Sequence, residues 1–238
     1  FLGDNFWDDI EGDQIPSIDA VFSLTDFHVI HEKEGNKLTN YMKNILQNYR
    51  EAYPRGFSID DIKYADIPND EVCLLNYTSG TTSFSKGVMI PARALWSNMM
   101  FAFNALTMKS GDRLVSMLPM AHMYGLAFEF LYQFCAGVQV FFLTRMPSPK
   151  IILQAFAEVK PTLVIAVPLI IEKIVKKNVL PKLETPTMKF LMHVPLLNDK
   201  IRAKVREQLM NAFGGEFYEI VVGGAAFNQE IEAFMRSI

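Results

Sequence analysis

Cysteine is scarce in these 238 residues, with only Cys73 and Cys135. The two lie far apart in apolar surroundings and in no CxxC or metal-like spacing, which argues against a disulfide framework and predicts buried thiols in a reducing compartment, the cytoplasm. An excess of either charge is missing as well. With 23 Lys+Arg against 26 Asp+Glu the net charge is −3, and no basic block tracks a phosphate backbone, so nucleic acid is not an expected partner. The opening FLGDNFWDDI has neither the basic region nor the apolar segment of a secretory signal. It also lacks an initiator Met, and the closing EIEAFMRSI reads as a helix stopped where a strand is due, so the chain is expected to be a piece of a longer protein.

No transmembrane segment is expected either. The one long apolar run, LAFEFLYQFCAGVQVFFL from Leu126 to Leu143, carries Glu129, Gln133 and Gly137. An acid near a helix centre costs about 2.5 kcal/mol or more on bilayer insertion. The run therefore predicts a buried helix, a tight turn and a buried strand.

What is present is enough apolar residue, 50% of the chain, to bury a full core. From Val72 onward short apolar runs (VCLLNY, RLVSML, VQVFFL, TLVIAV, EFYEIVV) alternate with helical patterns, the signature of an α/β fold with largely parallel sheets flanked by helices. Pro91 opens the first of these helices, where Trp96, Met99, Met100, Phe103 and Leu106 recur at helical spacing. Before Val72 the pattern is weaker: a strand at AVFSL, a polar corner at HVIHEKEGN, a helix across LTNYMKNILQNYREAY and a Pro/Asp-rich linker from Tyr53 to Asp70. The expected organisation is a segment and linker over residues 1–70 and an α/β core over residues 71–238.

The stretch NYTSGTTSFSKGVM, Asn76 to Met89, carries the chemistry. A Walker loop needs a hydroxyl directly after its lysine to hold Mg²⁺, and here Lys86 is followed by Gly87. What remains is a loop with Thr78, Ser79, Thr81, Thr82, Ser83 and Ser85 as hydroxyl donors, Gly80 and Gly87 for close backbone approach, and Lys86 as a mobile cation. Those parts suit a triphosphate tail that later departs as a leaving group.

YTSGTTSFSKGV resembles the [ST]SG[ST]TGxPKG phosphate motif of the adenylate-forming enzymes, with Ser83 where that family usually has Gly and Ser85 where it usually has Pro. LPMAHMYGL, Leu118 to Leu126, is similar to the family's LPLFHxxGL segment, and VVGGAAF, Val221 to Phe227, to its GGAPL segment. Three motifs in the right order are far more specific than one. TLVIAVPLIIEKI further resembles the long-chain acyl-CoA synthetase branch. The resemblance implies part of the N-terminal domain of such an enzyme. It implies that Thr78, Ser79, Gly80, Thr81, Thr82, Ser83, Lys86 and Gly87 hold the phosphates of ATP. It also implies that His122, Met123, Tyr124 and Gly125 approach the carboxylate and acyl group, and that Gly223, Gly224 and Ala225 lie against adenine and the acyl-adenylate. His122 and Lys86 are the catalytic candidates. The implied substrates are ATP, a fatty acid and CoA, with Mg²⁺ held by an acid beyond Ile238.

Such chemistry needs no enzyme nucleophile, because ATP itself activates the carboxylate; positioning and charge stabilisation suffice. The chain alone is expected to lack complete ligase activity. Two other readings stand beside this one: an enzyme adenylating aryl or amino acids, although AHMYG offers no acid for an amino group, and a non-catalytic scaffold that keeps the fold. His28, His31 and Glu32 form an HxxHE cluster that reads as a zinc site or as a solvated turn. Lys173, Lys176 and Lys177 read either as a wet helix face or as a contact for CoA phosphates or an anionic membrane.

Overall fold

The computed structural model describes residues 1–10, 16–78, 85–183, 185–187 and 194–238. They fall into two compact units, Phe1–Asp66 and Ile67–Ile238.

In the first unit β1 (Ala20–Phe22) pairs antiparallel with β2 (Val29–Glu32), followed by α1 (Leu38–Lys43) and α2 (Ile45–Ala52). HVIHE, expected as a polar corner, is therefore mostly strand. Its polar side chains find separate partners instead of one metal. His28 Nδ1 meets Asp26 Oδ1 at 2.6 Å. His31 stacks on Trp7 with ring centroids 5.0 Å apart. The Glu32 carboxylate accepts from the Leu38 and Thr39 amides and the Thr39 hydroxyl, serving as an anionic cap on the free amides that open α1. The helix expected across LTNYMKNILQNYREAY breaks at Asn44, where φ −106° and ψ 17° leave helical geometry.

The second unit begins with an antiparallel hairpin, β3 (Val72–Thr78) and β4 (Lys86–Pro91), running into α3 (Ala92–Ala105). Next come β5 (Arg113–Ser116), a π-helical segment Gly125–Leu131 that continues as α4 (Tyr132–Cys135), β6 (Gln139–Phe142) and α5 (Pro149–Val159). Then follow β7 (Leu163–Ala166), α6 (Pro168–Asn178), α7 (Leu180–Leu183), α8 (Pro195–Ala212), β8 (Glu219–Val222) and α9 (Gln229–Ser237). The pairs β5–β6 and β7–β8 are parallel. Strands β5 and β7 lie side by side, and Thr162 N donates to Arg113 O at 2.9 Å just ahead of β7.

Both faces of β5 and β7 are covered, which is why these strands read as unbroken apolar runs. Leu114, Leu163 and Ile165 point into a core shared with Met99 and Ala102 of α3 and Tyr132 of α4. Their alternating neighbours Val115, Val164 and Ala166 point the other way, onto Ile152 and Phe156 of α5, Ile171 and Ile174 of α6, and Val205, Leu209 and Phe213 in and just after α8. Local chemistry sets the helix starts: Pro149 and Pro168 occupy first turns, the Ser148 hydroxyl accepts from Ile151 N, and Asn228 Oδ1 accepts from Ile231 N at 3.1 Å; such caps occupy amides that the helix leaves unpaired.

Three expectations need correction. Cys73 and Cys135 are both exposed, because Cys73 lies on the hairpin and Cys135 on the outer side of the last turn of α4, beside the exposed Phe134. The strand expected to be buried, β6, is exposed at Gln139, Phe141 and Phe142. On α3 the stripe is only half buried: Met99 and Ala102 face the core, while Trp96, Met100 and Phe103 are exposed.

Candidate functional site

The hairpin sets Thr78 directly opposite Lys86 and Tyr77 opposite Gly87. Thr78, Lys86 and Gly87 are exposed, and Lys86 makes no ion pair among the described residues. Lys86 belongs to β4 rather than to a loop, so its backbone is held by the ladder while its ammonium is free to meet an anion. Ser79, Gly80, Thr81, Thr82 and Ser83 lie outside the described residues.

The second segment leaves the end of β5 and turns sharply. His122 N donates to Pro119 O at 3.0 Å and Leu126 N to His122 O at 3.0 Å. His122 is exposed, and its Nδ1 accepts from Tyr124 N at 3.2 Å, which leaves Nε2 as the ring nitrogen free for a ligand. Met123 is half-buried. Gly125 is fixed by packing: a Cβ there would stand 2.6 Å from Pro119 O, closer than real Cβ atoms come. Asn76, two residues before Thr78, donates from Nδ2 to Ala121 O at 2.8 Å. That bond ties the phosphate-motif hairpin to the His122 segment.

The third segment follows β8. Gly223 N donates to Ala166 O at 3.1 Å, extending the β7–β8 ladder by one step. Gly224 has φ +84°, a left-handed conformation that favours glycine; Ala225 is exposed. A Cβ on Gly223 would stand 2.8 Å from both Cζ and Oη of Tyr124, so the absence of a side chain lets the tyrosine ring lie against this backbone. The second and third motifs therefore touch, and the first is bonded to the second. Gly223→Ala is expected to lower stability by about 1–2 kcal/mol through this overpacking. In urea denaturation Tyr124→Ala should remove most of that penalty, giving a coupling energy between the two positions.

Behind the His122 segment lies Glu129, in the π-helical turn and fully buried. Its Oε2 accepts from Ser116 Oγ at 2.9 Å, Met117 N at 3.0 Å and Leu118 N at 2.9 Å, whereas Oε1 has no partner among the described residues. Burial pushes its carboxyl up to about 7 against the pull of the three donors. The half-buried Tyr124 hydroxyl, also without a partner among the described residues, is pushed up to about 12, by burial first and the Glu129 charge second. The sequence motifs assign no role to Asn76, although it opens the NYTSGTTSFSKGVM stretch, or to Glu129, whose available signal is an acid inside an otherwise apolar run.

Two concavities are relevant. A groove of about 490 Å³ at the ends of β5 and β6 is lined by Met117, Leu118, Pro119, Met120, Phe142 and Met146 among others, and so borders the His122 segment. A larger one of about 560 Å³ lies among α8, β8 and α9 and includes none of the motif residues except Val222 and Phe227. No group of three His, Cys, Asp or Glu side chains among the described residues stands where it could hold a metal ion.

The fold is that of the N-terminal domain of adenylate-forming enzymes. It matches the N-terminal domain of FACL13 from Mycobacterium tuberculosis with a TM-score of 0.52 at 18% identity, over 76% of this chain and 37% of that one. The chain belongs to the AMP-binding enzyme family, whose pattern matches residues 14–238. It is 26% identical over 217 residues to long chain acyl-CoA synthetase 4 from Arabidopsis thaliana, covering 79% of this chain and 31% of that protein. Over 99 residues it is 33% identical to anthranilate–CoA ligase from Pseudomonas aeruginosa, covering 41% of this chain and 19% of that protein. The chain thus spans between a fifth and a third of the length of these relatives.

Proposed function

We propose that this chain is the phosphate- and acyl-binding part of an acyl-CoA synthetase acting on fatty acids. The carboxylate oxygen attacks the α-phosphorus of ATP, pyrophosphate leaves with Lys86 beside it, and an acyl-adenylate forms. The thiol of CoA then attacks the acyl carbon, loses its proton and releases AMP. The observation that carries this reading is the joining of all three motif segments, by Asn76 to Ala121 and by Tyr124 against Gly223. In it, His122 presents Nε2 to the carboxylate, and Gly223, Gly224 and Ala225 offer small residues against the adenylate. The apolar groove beside Met117 and Met120 suits an alkyl chain, and similarity to a long-chain relative supports the fatty acyl class. Mg²⁺ is assigned no ligands among the described residues, and no step above is routed through it.

A second reading, activation of an aryl acid, is supported by the similarity to anthranilate–CoA ligase and by the Tyr124 hydroxyl, which is unpartnered among the described residues. Calorimetric titration of the chain with ATP and with AMP tests the phosphate assignment. Lys86→Ala should weaken ATP binding about tenfold, or about 1.4 kcal/mol, and leave AMP unchanged. Equal losses for both nucleotides would sink the assignment of Lys86 to the departing pyrophosphate. Pyrophosphate exchange by the longer polypeptide, with fatty acids set against aryl acids, separates the two substrate classes.

A further inference from the structure

We propose that Glu129 is a positioning residue of the candidate site: its carboxylate clamps the end of β5 to the π-helical turn and so holds Tyr124 against Gly223. The excursion from Leu118 to Glu129 carries His122 and Tyr124. Its base is closed by three hydrogen bonds onto a single oxygen, from Ser116 Oγ, Met117 N and Leu118 N. Moving the excursion would break those bonds inside a site that water does not reach. A buried carboxyl is a poor choice for stability alone, since apolar side chains of similar volume commonly serve as well or better. Here one oxygen is even left unpartnered among the described residues. What the carboxylate adds is register, because it accepts donors from consecutive residues at a fixed place on β5.

The second link is the π-helix. Its i→i+5 spacing brings position 129 back towards position 124 more closely than an α-helix would, and Glu129 is the group whose charge acts on the Tyr124 hydroxyl. Among the titratable side chains on the neighbouring elements, Arg93 pairs with Asp70, Arg113 with Glu216, and the Tyr132 hydroxyl donates to Leu106 O; Arg145, which lines the groove beside Met117 and Leu118, is exposed. Cys135, the remaining one on α4, is exposed.

The inference rests on reading Leu118–Tyr124 and Gly223 as facing walls of one site. Its test needs no nucleotide, so its outcome is independent of the ATP titration above. The experiment is a pH titration of the full chain followed by amide resonances, with His122→Gln as common background so that Glu129 is followed without the His122 ring beside Tyr124. The resonances of Met117, Leu118 and Gly223 should share one transition near pH 7, and Glu129→Gln should abolish it at all three. Ser116→Ala removes one donor to the ionised form and should raise the common midpoint, which keeps the test open should Glu129→Gln fail to fold. A transition at Met117 and Leu118 that leaves Gly223 unmoved would overturn the proposal, making Glu129 a purely structural acid. A Gly223 transition that survives Glu129→Gln, or a midpoint unmoved by Ser116→Ala, would overturn it equally.

Discussion

Glu129→Leu is expected to lower the stability of the chain by about 4 kcal/mol at mildly acidic pH, measured by chemical denaturation. The leucine fills much of the same space but leaves the Ser116 hydroxyl and the Met117 and Leu118 amides buried without an acceptor, and each such group costs about 1–3 kcal/mol. Relief of carboxyl burial offsets part of that sum. Glu129→Gln keeps an oxygen for the three donors and should lose about 1 kcal/mol or less under the same conditions.

The pH dependence follows from the direction of the shift. A carboxyl whose usual value is 4.5 and whose folded value is about 7 binds its proton more tightly in the folded chain. Its contribution is fully present below pH 4.5 and is lost as pH rises through 7, by about 3 kcal/mol in all. Comparison of wild type with Glu129→Gln isolates this component, since every other carboxylate is common to both. The wild type should fall relative to the glutamine variant between these two pH values and run parallel to it outside them. A constant difference across the range would mean that Glu129 ionises normally.

Gly214→Ala should have a comparably large effect, about 3 kcal/mol or more. Gly214 ends the turn after α8 at φ +94°, and a Cβ there would stand 2.5 Å from Phe156 O and 2.9 Å from Lys160 Cα. Both obstacles are backbone at the end of α5, so a rotamer change cannot relieve them. Gly111→Ala is the natural control, having φ +90° and, among the described residues, no atom within 4 Å of where its Cβ would stand. It should show only the left-handed strain, about 1 kcal/mol, and the difference between the two melting curves reports the collision. Equal losses at both positions would show that α5 yields to admit the methyl.

Much of this organisation is legible in the amino-acid order alone. The apolar runs became β3, β5, β6, β7 and β8; β5 and β7, covered on both faces, need no polar alternation, whereas β3 and β6 are apolar in sequence yet largely exposed. Pro91, Pro149 and Pro168 mark helix starts for a backbone reason that sequence displays directly. The three motifs also carry the family. Misreadings arose where tertiary contacts decide. HVIHE has the polarity of a turn but pairs with β1, and Glu32 serves a helix start six residues on. Half of the α3 stripe is exposed because helical spacing says which residues share a face without saying how much covers it. Gly125 has a packing reason that its motif does not display: Pro119 O excludes any side chain there. Glu129 served in the sequence only to argue against a membrane span; its three donors come from β5 and the residues after it, up to thirteen positions away, and no local pattern announces them.

The chain's two tryptophans fall one in each compact unit: Trp7, stacked on His31, and Trp96, 60% exposed on α3. Each unit thus carries its own optical reporter without labelling. Trp7→Phe leaves an emission signal from Trp96 alone, on the helix that follows the hairpin bearing Lys86, and Trp96→Phe leaves a signal from Trp7 alone. Unfolding of the two units can be timed separately in the same polypeptide.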